Sequence, residues 1–302
     1  MVGILLDAPA LEAFVEGATA PGRCCLAVAG DTIRIDPGES CDWFLIRAIP
    51  GSYDDTGQGW FHGADTLYYS TTFLQGGTGN LRFIAGEDSG LPSAGTFYIA
   101  AARPGIAMPD TIASREPIHA VCPSIVQVAV RSGDTYTDYL LETIGTPFIM
   151  APMSTPGGFH QADDRMGFDC AGLAVYGARR MGMDVGYLGP AGILPFLEPV
   201  LDGLFAPCEI DGTVLYLDDS GASVVIGDEG LRPGDILHFR VQVSVFLEDA
   251  GTPGLLDPQD LVIQSWFDGP MICTLEENGF YGLPLRVLRW GQATPVSTVV
   301  SP

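Results

Sequence analysis

The run Gly167-Phe168-Asp169-Cys170-Ala171-Gly172-Leu173-Ala174-Val175-Tyr176 places a cysteine directly behind an acidic residue at the expected start of a helix. A helix opening at Asp169 aims its free backbone N–H groups and the positive end of its dipole at Cys170, which favours a thiolate over a thiol. Leu173, Ala174, Gly177 and Ala178 follow Cys170 at helical spacings, so the cysteine side of the helix faces the interior and Arg179 and Arg180 face water. The competing reading of the same residue is a buried, inert thiol, the common fate of a free cysteine. Either way, an apolar helix face of this kind needs a sheet or a second helix to cover it.

The motif resembles the nucleophile motif of the NlpC-type cysteine peptidases, papain-like hydrolases that cut bacterial cell-wall peptides, in which Asp-Cys-Ser-Gly-Leu opens the catalytic helix. Ala171 stands where that family usually carries Ser. Upstream, Tyr139-Leu140-Leu141-Glu142-Thr143-Ile144-Gly145-Thr146-Pro147-Phe148 is similar to the family's first helix and its Gly-Thr-Pro-Tyr turn, with Phe148 in the tyrosine's place. Downstream, Leu231-Arg232-Pro233-Gly234-Asp235-Ile236-Leu237 is similar to its Pro-Gly-Asp entry to the first core strand. The three motifs occur in the family's order over roughly the C-terminal half of the chain. The resemblance implies an α+β domain in which the helix carrying Cys170 packs on an antiparallel sheet, with Cys170 as nucleophile and Asp169 beside it, and with no cofactor and no metal.

A cysteine hydrolase of this kind also needs an imidazole in hydrogen-bond reach of the thiol and a third polar group to orient it. Aligned on the family's second and third core strands, Gln242-Val243-Ser244-Val245-Phe246-Leu247 and Val262-Ile263-Gln264-Ser265-Trp266 put glutamine at both positions, Gln242 for the base and Gln264 for the orienting residue. Glutamine takes up no proton at useful pH, so a Cys170–Gln242 pair holds a ligand by hydrogen bonds and performs no general-base catalysis. Of the four histidines, His238 lies on the first core strand, where a one-residue slip changes its face, and is the best substitute. His160 sits in the Gly-rich loop ahead of Cys170. His62 and His119 belong to the N-terminal half and read as surface or satisfied core residues.

Charge narrows the class of partner. The chain has 302 residues, 37 acidic and 14 basic, for a formal net charge of −23, and every basic residue is Arg. Such a field repels phosphate backbones and anionic lipid, so nucleic acid is not an expected partner, and no apolar run is long enough for membrane insertion. The start Met1-Val2-Gly3-Ile4-Leu5-Leu6-Asp7 lacks the basic and apolar stretches of a secretory leader. Seven cysteines without a Cys-x-x-Cys pair give no support to a complete disulfide framework or to a zinc or iron–sulfur site.

Two units are expected. Over residues 1–102, Cys25–Ala29, Thr32–Ile35, Trp43–Ile46, Leu67–Phe73 and Thr96–Ala101 alternate or run apolar between Gly, Asp and Pro clusters, the pattern of a small β-rich docking or binding domain, with Leu11–Val15 as a short helix before it. Trp60, Tyr68 and Tyr69 are its candidate sugar-stacking aromatics, although aromatic strand residues more often serve the core. Asp55-Thr56-Gly57 matches the aspartic-peptidase tripeptide and reads as a turn. Pro104, Pro109, Pro117 and Pro123 mark residues 103–131 as a connector. Residues 132–302 form the peptidase-like domain: a helix capped near Ser132–Asp134 and stopped by Gly145, a helical region from Leu188 to Phe205, a β-hairpin insertion near 210–227, and strands from Ile236, Val243, Leu261, Met271 and Leu285.

A protein that meets peptidoglycan without an export signal gets there by riding on a virion, leaving through lysis or using a specialised export machine, and phage tails are a frequent carrier of NlpC-type domains. The leading expectation is therefore a phage-tail or virion component whose peptidase-like domain has lost its base. It acts as a structural or cell-wall-binding module, with neighbouring tail or virion proteins and a peptidoglycan peptide or glycan as partners. The alternative is an active cell-wall endopeptidase or amidase using Cys170 with His238 or His160.

Overall fold

A computed structural model describes residues 9–17, 22–49, 66–87 and 90–291. Trp60, His62, Asp55-Thr56-Gly57 and the first eight residues lie outside them. Strands and bridges hold 42% of the described residues and helices 11%, an α+β chain in the broad sense with several antiparallel sheets.

The N-terminal strands are β1 (Glu12–Val15), β2 (Cys24–Val28), β3 (Thr32–Asp36), β4 (Cys41–Ala48), β5 (Leu67–Thr78), β6 (Leu81–Ile84) and β7 (Gly95–Ala102). They are followed by β8 (Thr111–Ser114), the short helix α1 (Ile118–Val121) and β9 (Ile125–Arg131). Six of the strands form one sheet in the order β2-β9-β7-β4-β5-β8, and β1-β3-β6 form a second. Alternation along β4 and β7 sends Trp43, Leu45, Phe97 and Ile99 into the core shared with Ile33, Ile35 and Phe83 of the small sheet. Phe44, Ile46, Tyr98 and Ala100 point the other way, onto Ile118, Ile149 and Met166.

Two expectations fail here. Leu11–Val15 is not helical: Glu12–Val15 pairs antiparallel with β3, because Leu11 and Ala13 are buried and the alternation suits a sheet. Residues 103–131 are not a bare connector either. They supply β8 and also β9, which lies between β2 and β7, parallel to the first and antiparallel to the second. The run Ile125-Val126-Gln127-Val128-Ala129-Val130 is rich in β-branched residues, and all six are buried.

The second half opens with α2 (Tyr136–Leu141), where Thr135 and Asp138 form a capping box. The helix starts later and stops earlier than expected. Next come α3 (Cys170–Arg180), the single turn α4 (Pro190–Ile193), and the strands β10 (Leu197–Pro199), β11 (Ala206–Ile210) and β12 (Thr213–Leu217). The last strands are β13 (Ile236–His238), β14 (Val243–Glu248), β15 (Leu261–Trp266), β16 (Gly269–Thr274) and β17 (Arg286–Trp290). These five lie where the sequence expects them and join an antiparallel sheet of order β10-β17-β13-β14-β15-β16.

Helix α3 covers one face of that sheet, with Leu173, Ala174 and Val175 against Ile236, Val245 and Ile263. The insertion covers the other, where Phe205, Tyr216 and Val224 pack on Phe239, Phe246 and Val262. Its hairpin pairs β12 with β11 across Asp211 and Gly212, both at positive φ, as a two-residue turn needs. The sequence expects a hairpin that pairs 213–217 with 222–226 across 218–221, but residues 222–226 make only isolated bridges, to Leu217, Leu231 and Leu255.

Candidate functional site

Asp169 is the N-cap of α3. One carboxylate oxygen accepts from the Gly172 N–H at 2.6 Å and the other from the Ala151 N–H at 3.0 Å. The motif glycine follows from this: a Cβ at Gly172 falls 2.8 Å from the capping oxygen. Ala171 is fully buried. Cys170 therefore occupies the helix position that the sequence indicates.

Its chemistry is not the one expected. The side chain is 7% exposed, and burial, joined by the neighbouring Asp169 charge, pushes the thiol up to about 12. The N–H groups of Val243, Ala171 and Cys170 itself work in the opposite direction and are outweighed. The thiol is the resident species, as in the inert reading of this cysteine.

Gln242 and Gln264 do meet. Gln242 Nε2 donates to Gln264 Oε1 at 3.0 Å. Both are buried, but on the face of the sheet away from Cys170. Val243 and Val245 belong to the cluster under α3, so Gln242, Ser244 and Phe246 take the opposite face. Likewise Ile263 packs under α3, whereas Gln264 shares the face of Val262 and donates to Cys273 Sγ at 3.6 Å and the Asn278 carbonyl at 3.2 Å. The residues turned toward α3 are Val243 and Ser265, whose hydroxyl donates to the Phe168 carbonyl at 2.7 Å. The β14 side chain turned toward α3 is thus Val243, one residue of pleat from Gln242.

His238 is directly opposite Val243 in the β13–β14 register and so lies on the face of α3. Both of its ring nitrogens are engaged elsewhere. Nε2 lies 2.9 Å from the Pro190 carbonyl, and Nδ1 accepts from the Arg240 N–H at 3.2 Å, an arrangement that puts the proton on Nε2. His160 is farther away. It stacks on Tyr187 with ring centroids 4.3 Å apart, and Arg179 covers Tyr187 at 5.2 Å. Arg179 is nine residues along α3 from Cys170, about 13 Å of helix. Burial lowers the His160 pKa despite the opposing pull of Asp163. His119, buried beside Tyr98, is lowered to about 4 by burial and by Arg165 and Arg23. No histidine is hydrogen-bonded to Cys170 among the described residues.

Sequence reasoning missed a charged network between the halves of the chain. Glu142 is fully buried and bonds to the Tyr176 hydroxyl and to Arg180 and Arg131. Arg165, at φ +52, donates to Gln127 Oε1 at 2.6 Å, to Cys24 Sγ at 2.7 Å and to the Tyr176 hydroxyl at 3.2 Å. The available signal was a carboxylate directly after the apolar pair Leu140-Leu141. Among the described residues no group of three or more His, Cys, Asp or Glu is placed to hold a metal, and no helix is long and apolar enough to cross a membrane.

No protein-family model matches the chain, no curated protein matches its sequence, and no solved structure matches it.

Proposed function

We propose that this chain is a non-catalytic module, structural or cell-wall-binding, of a tail-like or virion assembly, built on a peptidase-like arrangement of helix and sheet. One observation carries the loss of catalysis: the neutral, buried Cys170 thiol faces the backbone and side chain of Val243, and a valine accepts no proton. The assembly and the wall ligand rest on the resemblance of the Asp169-Cys170, Gly145-Thr146-Pro147 and Pro233-Gly234-Asp235 motifs alone.

The test incubates the purified chain and Cys170→Ala with insoluble peptidoglycan and measures newly released amino groups and co-sedimentation. The module reading expects no release from either protein and equal co-sedimentation by both. Release that disappears in Cys170→Ala overturns it. The second reading, an active cell-wall peptidase, is favoured by one feature, the placement of His238 on the Cys170 face beside Val243. It requires the imidazole to exchange the Pro190 carbonyl for the thiol.

A further inference from the structure

We propose that the pocket at the C-terminal end of α3 binds a small apolar molecule carrying a single negative charge. The pocket has a volume of about 540 Å³, within the roughly 300–1,000 Å³ usual for small-molecule sites. Its apolar wall is Tyr136, Ala178, Met181, Met183 and Trp290. The Tyr136 ring is fixed, because its hydroxyl donates to the Ala174 carbonyl at 3.0 Å. The two methionines are unbranched and polarisable, and adapt their shape to an apolar guest.

The polar side holds two arginines, Arg232 and Arg289, and one carboxylate, Asp235. Arg289 grips Asp235 with two hydrogen bonds, of 2.6 and 2.7 Å, and Asp235 also accepts the Arg232 backbone N–H at 2.7 Å. Arg289 and Asp235 therefore neutralise each other. The Arg232 guanidinium, exposed at the pocket, has no carboxylate within ion-pair distance among the described residues. Seven arginines, among them Arg289, Arg179 and Arg180 nearby, have carboxylate partners, and Arg232 is not one of them. A free guanidinium beside an aromatic and thioether wall complements one carboxylate on an apolar body. Glu198 approaches from the β10 side, its carboxylate 3.2 Å from where a Cβ on Gly291 falls, which confines a ligand carboxylate to the Arg232 side of the pocket. Ala178 and Met181 lie eight or more residues along the chain from Cys170, so the site is independent of what Cys170 does.

The test uses protein labelled with ¹³C at the methionine methyls, titrated with 3-phenylpropionate, with the neutral 3-phenylpropan-1-ol and with the cationic 3-phenylpropylamine. The expected result is saturable shifts at the Met181 and Met183 methyls with the acid, affinity about tenfold weaker for the alcohol and no binding of the amine. Arg232→Ala, which removes a side chain with no partner and so spares the fold, lowers affinity for the acid about tenfold and leaves that for the alcohol unchanged. The proposal is overturned if the acid gives no saturable shift at these two methyls, or if Arg232→Ala binds it as well as the parent does.

Discussion

At Cys170 a helix N-terminus and a buried setting act in opposite directions, and burial wins. A thiol held near 12 has roughly 10³-fold less thiolate at neutral pH than a free cysteine near 8.5. Iodoacetamide at pH 8 should therefore label Cys170 at least about tenfold more slowly than the exposed Cys208, a difference read by peptide mass spectrometry and abolished in denaturant. Asp169→Ala should cost about 1 kcal/mol by removing the cap. The position of the cysteine was legible because cap, helix and apolar spacing all agree. Which side chain of β14 faces Cys170 was not. Phe239 to Gln242 form a tight turn with Arg240 at φ +71, and the parity of the pleat beyond such a turn depends on pairing, not on composition. A second titrating residue lies in the loop before β15. Asp260 is fully buried and accepts N–H groups from Ala250, Gly251 and Asp257, yet burial raises it to about 6. An acid raised on folding binds its proton more tightly in the native state, so its contribution to stability falls as pH rises from about 4 to about 6. Urea unfolding should show the stability of the parent relative to Asp260→Asn dropping by up to about 3 kcal/mol between pH 4 and pH 7.

Among the elements, those with a local signature were readable and those defined by a distant partner were not. β2, β3, β4, β5, β7 and the strands from β13 to β17 alternate or run apolar between turn residues and form within a few residues of the expected positions, whereas β6, β8, β10 and β11 carried no such signature. β1 is too short for its period to separate strand from helix, and only β3 decides it. β9 was hidden by the prolines around it, although its own six residues have the composition of a buried strand. Gly95 at the start of β7 illustrates a constraint of the same kind, set by a partner remote in sequence. Its φ is +103°, and an added Cβ falls 2.2 Å from the Ile144 carbonyl oxygen, where the chain leaving α2 crosses the sheet. Thr96 seals this crossing through its N–H to Ile144 and its hydroxyl to the Glu142 carbonyl. Gly95→Ala combines backbone strain with a backbone overlap, and should destabilise the chain by roughly 2–5 kcal/mol in chemical denaturation. Gly90→Ala, equally at positive φ but with open space around it, should cost only the strain, about 1 kcal/mol.

For the molecule as a whole, the proline count suggests two units joined by a linker, whereas the contacts describe halves that complete each other. Ile149 and Met166 from the second half fill the core of the first sheet. Gln127 on β9 accepts from Arg165 and donates to the Asp164 carbonyl, and Arg131 at the end of β9 reaches Glu142. The partly buried arginines around Glu142 depend on it, since removing one partner of a buried pair leaves the other charge uncompensated. Glu142→Gln should therefore cost about 3–5 kcal/mol, far more than breaking an exposed pair such as Arg82–Glu16. The cooperativity of unfolding tests the same junction. If the halves were independent, urea would give two transitions, and residues 132–302 would fold when expressed alone. With Ile149, Met166 and Arg165 stripped of their partners in that fragment, it should instead lack dispersed methyl resonances. The full chain should unfold in a single transition whose m-value scales with the surface of both halves. Glu142→Gln should lower the midpoint of that transition for a tryptophan on either side, Trp43 in the first sheet or Trp266 in the second, because the buried carboxylate couples both.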